Sequence, residues 1–337
     1  MTRRGLTVAA AATAVTLPLA GLELVFRRGG RRLLAAPRRL PGEEQLAPAI
    51  DAMGGEVVRL RSRDGVRLAA RWLPAERSVD AGAGDDWQVD PHQAILLLHG
   101  WSGSVAPDIV EYAPFLRRTA AVLALDFRGH GDSDDAPTTF GLHEVEDVAG
   151  ALAWLGERGI RQVALVGTSM GAITAIAAVG VLGDGSLAGA DIDLDAPAHV
   201  EPPPRPRIVA VVADSAAPEL VVPVASRLRG PFRRAVAGRL FAAAARRLGA
   251  DPRSTEPIRM IGLVEPVPLL LIHGEADDTV PIEDGRRLAA AAGESSDHWV
   301  VPGATHSGAH RASPAEYEAR VSATLRAAFV RAREGGL

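Results

Sequence analysis

Six short apolar runs, regularly separated by helix-patterned segments, constrain the fold of this chain more than any other feature. The runs are Ala94–Leu98, Ala121–Leu125, Val163–Val166, Ile208–Ala213, Pro268–Ile272 and His298–Val301. Near-continuous apolar runs of this length are expected of parallel strands covered on both faces. Between and after them, residues 105–118, 142–158, 170–182, 284–292 and 314–333 read as helices. The last carries Tyr317, Val321, Leu325, Ala328 and Phe329 at helical spacing. Upstream, Glu56–Ser62 and Val66–Leu73 are extended stretches joined by Arg63-Asp64-Gly65, and Asp-Gly between such runs signals a hairpin. The expectation is a doubly wound, mostly parallel twisted sheet with helices on both faces and an antiparallel N-terminal edge.

Two segments interrupt the alternation. Residues 183–207 are rich in Gly, Asp and Pro and read as a loop insert. Residues 217–262 contain an Arg-rich amphipathic stretch, Leu228 to Leu248, and form a candidate small helical cap. Two roles fit it equally: a lid over a pocket, with Phe232, Leu240 and Phe241 as its apolar side, or a solvated helix face packed on the domain. The chain is therefore divided into a head at 1–36, a linker at 37–55 and a body at 56–333 that includes the insert and the cap.

Composition separates the head from the body. In residues 1–45 eight Arg face three Glu, giving +5; the remainder carries 29 Arg against 38 acids, giving −9. A formal charge of −4 offers no global basic field to nucleic acid. Cysteine is absent, which excludes disulfides, thiolate metal sites and cysteine nucleophiles. All 37 basic residues are Arg, so no phosphate loop with its Lys exists. Gly5 to Phe26 holds one charge, Glu23, and as a helix would reach about 33 Å. A single-pass N-terminal anchor is expected, with the Arg cluster at 27–39 on lipid headgroups and the body on the cytoplasmic face. An export signal beginning Thr2-Arg3-Arg4-Gly5-Leu6, or a helix packed on the domain, are the alternatives. The body is expected to fold and act without residues 1–36.

The chemistry centres on Gly167-Thr168-Ser169-Met170-Gly171, which follows one strand and opens an Ala-rich helix. A sharp strand-to-helix turn forces the Ser backbone into strain and leaves no room for side chains two residues away, which the two Gly supply. The turn also lifts the hydroxyl to a helix N-terminus, where negative charge is favoured. A serine nucleophile needs a base and an orienter. Past the strand ending His273-Gly274, either Asp277 or Asp278 is placed to orient. Past the strand ending at Val301, His306 lies in a Gly-containing loop and is the candidate base, giving the order Ser, Asp, His. Asp214 and His310 stand in reserve as acid and base. The oxyanion donors are the amide of Met170 and, from His99-Gly100-Trp101-Ser102-Gly103, the amide of Trp101. His99, His130, His273 and Asp126 read as turn-stabilising. No metal-ligand spacing and no cofactor motif is present.

The body resembles the α/β-hydrolase superfamily through five blocks: His99-Gly100-Trp101; Asp126-Phe127-Arg128-Gly129-His130-Gly131-Asp132-Ser133; the turn at 167–171; His273-Gly274 through Asp277-Asp278-Thr279-Val280-Pro281; and Gly303-Ala304-Thr305-His306. The resemblance implies Asp277 rather than Asp278 as the acid, His306 as the base and the hairpin as the usual edge. Val212–Ala216, with Asp214-Ser215, is similar to a membrane-anchored or peptidase-like branch with a small helical cap. The implied activity is that of a serine hydrolase on a small-molecule acyl substrate, a carboxylic ester, and a lipid-like one if an anchor holds the pocket by a bilayer. A peptidase, thioesterase or acyltransferase would use the same residues, and a non-catalytic binding module would keep only the scaffold. Epoxide hydrolases and dehalogenases need Asp where Ser169 stands. The resemblance leaves residues 1–55 uncovered and does not account for the length of the 183–207 insert.

Overall fold

The computed structural model describes residues 23–76, 87–183 and 205–335. A helix spans residues 23–33 (α1), and a short 3-10 turn, Glu43–Leu46, leads into α2 (Ala47–Ala52). Strands β1 (Glu56–Arg61) and β2 (Arg67–Leu73) follow. The alternation then runs β3 (Gln93–Leu98), α3 (Ala106–Leu116), β4 (Ala121–Leu125), α4 (Glu144–Glu157), β5 (Gln162–Thr168), α5 (Met170–Leu182) and β6 (Arg207–Asp214). Three further helices, α6 (Val221–Ser226), α7 (Arg233–Leu248) and α8 (Pro257–Met260), precede β7 (Leu269–Gly274). The chain closes with α9 (Ile282–Ala290), β8 (Ser296–Val301), α10 (Ala309–Ala312) and α11 (Pro314–Arg333).

The eight strands form one sheet in the order β1-β2-β4-β3-β5-β6-β7-β8. Only the β1·β2 and β2·β4 pairings are antiparallel. This is the α/β-hydrolase fold. The hairpin turn closes as its sequence demands: Gly65 adopts φ 92° and donates to the Ser62 carbonyl at 3.0 Å. Strands β3, β5, β6 and β7 are buried almost throughout because helices cover both faces of the sheet. One core lies under α4 and α5, around Leu96, Leu98, Leu165 and Ile176; the other, under α3 and α11, holds Ile95, Leu97, Tyr317 and Phe329. The Ala-rich α5 is buried for ten successive residues, as a central helix packed from all sides must be.

The N-terminal expectation is corrected here. Among the described residues no helix is long and apolar enough to cross a membrane. Most of the segment expected to span, residues 5–22, lies outside the described residues. Its remainder, Glu23–Phe26, belongs to α1, which continues through Arg27, Arg28, Arg31 and Arg32 and is too charged for a hydrocarbon core. Helix α1 packs on α7 instead. A Cβ on Gly30 would fall 2.9 Å from the Ala244 nitrogen, one on Gly29 would fall 2.4 Å from Leu240, and Glu23 pairs with Arg246 at 3.1 Å. Further along, Arg38 and Arg39 pair with Asp135 and Asp132 at 2.8 and 2.6 Å. The single-pass anchor is thus not supported, and the placing of the body on a cytoplasmic membrane face, which rested on it, falls with it.

Of the inserts, residues 184–204 lie outside the described residues. The Arg-rich stretch is α7, which buries Ala237, Phe241, Ala243 and Ala244 against the domain. Phe241 meets Phe140 edge-on at 5.7 Å. Phe232 is 75% exposed and Leu240 lies against α1, so neither joins Phe241 in an inward apolar face.

Candidate active site

Strand β5 ends at Thr168, and Ser169 takes φ 50°, ψ −111° before α5 begins at Met170. A non-Gly residue at positive φ is strained and persists only when its surroundings over-determine it. Those surroundings are visible here. The Ser169 N–H donates to the Asp214 carbonyl of β6 at 2.8 Å. The turn is so tight that a Cβ on Gly167 would sit 2.4 Å from the backbone of Gly171, and one on Gly171 would sit 2.0 Å from the Leu98 carbonyl oxygen. Backbone cannot yield to such overlaps, so both positions require glycine.

The Ser169 hydroxyl is 2.9 Å from His306 Nε2, and His306 Nδ1 is 2.8 Å from Asp277 Oδ2. The three groups come from the ends of β5, β7 and β8, at the carboxyl edge of the sheet. Read as a chain of donors, the Ser169 O–H gives to Nε2 and the His306 Nδ1–H gives to the carboxylate, which fixes one neutral tautomer. Asp277 is 5% exposed. Its other oxygen accepts the amides of Thr279 at 2.9 Å and Val280 at 2.8 Å, so the buried carboxylate is satisfied on both sides. His273 braces that turn, its Nε2–H reaching the Val280 carbonyl at 2.8 Å. Asp278 points outward and is exposed.

The reserve residues have other partners. His310 stacks on Phe115 and lies 3.3 Å from Glu111 and 3.5 Å from Glu318; the Glu111 carboxylate raises its pKa. Asp214 is buried, which pushes its carboxyl up to about 6. Its Oδ1 accepts the Ser215 hydroxyl at 2.9 Å, and the Ser215 oxygen accepts the Ser307 amide at 2.9 Å. Through that relay Asp214 holds the loop carrying His306. Ser215 and Ser307 both sit at positive φ, 59° and 49°.

The amides of Met170 and Trp101 border the serine, and among the described residues neither is engaged by another acceptor. Met170 opens α5, so its N–H is one of the helix's unsatisfied donors. Gly100 approaches so closely that a Cβ there would lie 3.7 Å from the Ser169 Cβ. The His99 Nδ1–H donates to the Gly100 carbonyl at 2.7 Å, and His99 Nε2 accepts the Phe127 amide at 3.1 Å. Burial lowers the His99 pKa well below the usual imidazole range, consistent with that neutral ring. The Gly100 carbonyl and the Trp101 N–H share one peptide plane, so this bond also aims the amide. His130 holds the next carbonyl, that of Trp101, at 2.6 Å. The Trp101 indole stacks on Phe140 at 6.3 Å, so Trp101, Phe140 and Phe241 form a continuous aromatic row that runs into the core.

Two neighbours escaped the sequence reading. Asp108, in the first turn of α3, accepts the Thr168 hydroxyl at 2.9 Å, and burial lifts its carboxyl to about 7. Glu43, in the polar arm before β1, accepts the Ser104 hydroxyl at 2.8 Å and its amide at 3.2 Å. Nothing local marks either residue, because each partner is about 60 positions away in sequence. Among the described residues no group of three or more His, Asp or Glu converges as a metal site would.

A family model described as the alpha/beta hydrolase family matches residues 95–320, two-thirds of the chain. The chain belongs to the alpha/beta hydrolase family. Among its relatives is an uncharacterized protein of Mycobacterium tuberculosis, Rv2307c, 27% identical over 308 residues, spanning 87% of this chain and 85% of that protein. Another is YfhR of Escherichia coli K12, also uncharacterized, 24% identical over 261 residues, 76% of this chain and 75% of that one. Solved structures share the fold. An alpha-beta hydrolase from Vibrio vulnificus superposes with a TM-score of 0.61 at 18% identity, covering 89% of this chain and 93% of its own. The esterase Pf2001 of Pyrococcus furiosus gives 0.60 at 21% identity, covering 87% and 97%. In this alpha/beta hydrolase the matched region contains Ser169, Asp277 and His306, while the arm that carries Glu43 lies ahead of it.

Proposed function

We propose that this protein is a serine hydrolase of carboxylic esters, working through an acyl-enzyme. The observation that carries the reading is the unbroken hydrogen-bond chain from the Ser169 hydroxyl through His306 to the buried Asp277, at 2.9 and 2.8 Å. Ser169 Oγ attacks the ester carbonyl while His306 Nε2 takes its proton. Asp277 keeps the Nδ1–H directed at itself and stabilises the imidazolium that forms. The amides of Met170 and Trp101 hold the oxyanion, and their lack of other acceptors means no bond is broken to receive it. Collapse expels the alcohol, protonated by His306. Water, deprotonated by the same histidine, then attacks the acyl carbonyl, and the acid leaves with Ser169 restored.

The ester class is supported by the fold shared with proteins described as esterases. A lipid-like substrate was motivated by the anchor and is not part of this proposal. A fluorophosphonate probe and a set of p-nitrophenyl esters test the reading. The full chain is expected to take the probe and turn over at least one ester, and Ser169→Ala to do neither. Labelling that survives Ser169→Ala would move the nucleophile elsewhere.

A further inference from the structure

The arm between α1 and β1 has no place in the triad chemistry, yet it threads across the loops that frame the serine. The Thr138 amide donates to the Leu34 carbonyl at 3.0 Å, the Gly103 amide to that of Pro37 at 2.9 Å and the Gly131 amide to that of Arg38 at 2.8 Å. The Arg38 guanidinium returns to the carbonyls of Gly131 and Ser133. Glu43 completes the strap. Most of the arm's side chains from 35 to 49 are exposed or half-buried, but Glu43 is 5% exposed. Burying a carboxylate is costly unless its oxygens are bonded, and here each oxygen meets Ser104, one at the hydroxyl and one at the amide. Gly103 makes room: at φ 86° it lacks the Cβ that would fall 2.1 Å from a Glu43 oxygen.

Ser104 is three residues beyond Trp101, in the loop whose other end is fixed by His99 and β3. The loop is thus clamped at the Gly100 and Trp101 carbonyls by two histidines and at Gly103 and Ser104 by the arm. We infer that Glu43 is a positioning residue for the oxyanion side of the site, setting the Trp101 amide through Ser104. The inference rests on the serine-hydrolase reading above. Displacements of about 1 Å at such donors are enough to cost about a hundredfold in rate.

The test uses the full-length chain, with concentrations set by fluorophosphonate titration. Turnover is measured on a p-nitrophenyl ester and on its thionoester counterpart, whose sulfur is a poorer acceptor for an oxyanion hole. Glu43→Ala is expected to lower kcat by about tenfold to a hundredfold. KM should stay within about twofold, since a group acting in the transition state alone leaves substrate binding intact. The preference for ester over thionoester should shrink in parallel, and Glu43→Gln, which keeps an acceptor, should recover part of both. A role in stability alone would lower the melting temperature and leave the preference unchanged. If Glu43→Ala fails to fold, Ser104→Ala removes the hydroxyl bond to Glu43 and keeps the amide one, so a smaller fall in kcat and in the preference, in the same direction, is expected. Wild-type kcat and wild-type preference in either folded variant overturn the assignment. A wild type that takes no probe and cleaves no ester overturns the serine-hydrolase reading first, and this inference with it.

Discussion

At the scale of single residues, Asp277 and Asp278 show how adjacent carboxylates diverge. The turn after β7 directs the amides of Thr279 and Val280 at one of them, and that one is drawn inside. Its neighbour is left in water. Buried acceptance by two amides leaves the second oxygen of Asp277 to hydrogen-bond His306, with His273 Nε2 farther off at 3.7 Å. Asp277→Asn should therefore keep the fold while presenting an amide that favours the wrong imidazole tautomer. We expect kcat to fall by about 10⁴-fold, and by a similar factor in His306→Ala, with far-UV circular dichroism unchanged. Near-wild-type turnover in His306→Ala would contradict the proposed role. His310 is a poor substitute, because it is held between Glu111 and Glu318.

At the scale of elements, the hairpin is fastened to the body by charge rather than by apolar packing alone. The Arg128 guanidinium, buried between β4 and α4, bonds Asp64 of the β1–β2 turn at 2.7 and 2.8 Å and Asp147 of α4 at 2.7 and 2.9 Å. The Arg128 bond lowers the Asp64 pKa to about 2, from 3.8 for a free carboxyl. A depressed folded-state pKa contributes stability above the unfolded value and loses it as pH falls through the folded one. Asp64→Asn should thus melt below wild type at pH 7, and the gap should close between about pH 4 and pH 2. Thermal scans across that range check it; a gap that persists at the acid end would assign the effect to packing. Asp64 is partly exposed, so solvent screening makes the difference modest.

At the scale of the whole molecule, residues 23–46 pack against the rest of the described chain. Helix α1 lies on α7, the arm from 34 to 46 ties two loops at the site, and Leu34 is buried at 4%. The sequence reading had residues 1–36 detachable. Removing them would uncover the Ala243 and Ala244 surface and take away the Leu34 carbonyl from Thr138, so a loss of stability is expected. Burial of a single leucine side chain is worth about 2 kcal/mol, and α1 adds more. A chain starting at residue 37 should melt about 5 °C or more below the full chain in differential scanning calorimetry. Equal melting temperatures would restore the detachable head.

The sequence by itself determined the alternation of strands and helices, the antiparallel hairpin at the edge and the tight turn around Ser169. These follow from short-range rules: side-chain periodicity, Asp-Gly turn chemistry, and glycines where a Cβ would strike backbone. The membrane expectation used the same local hydropathy and failed in its described part, since what decides the fate of residues 23–33 is the α7 surface more than two hundred positions away. The family resemblance pointed to Asp277 and the sequence read His99 and His130 as turn-stabilising, but only the tertiary structure showed why one aspartate turns inward, which carbonyls the two histidines hold, and that Glu43 reaches Ser104. Each depends on backbone donors or carbonyls brought close by the order of strands in the sheet, and no spacing along the chain encodes that proximity.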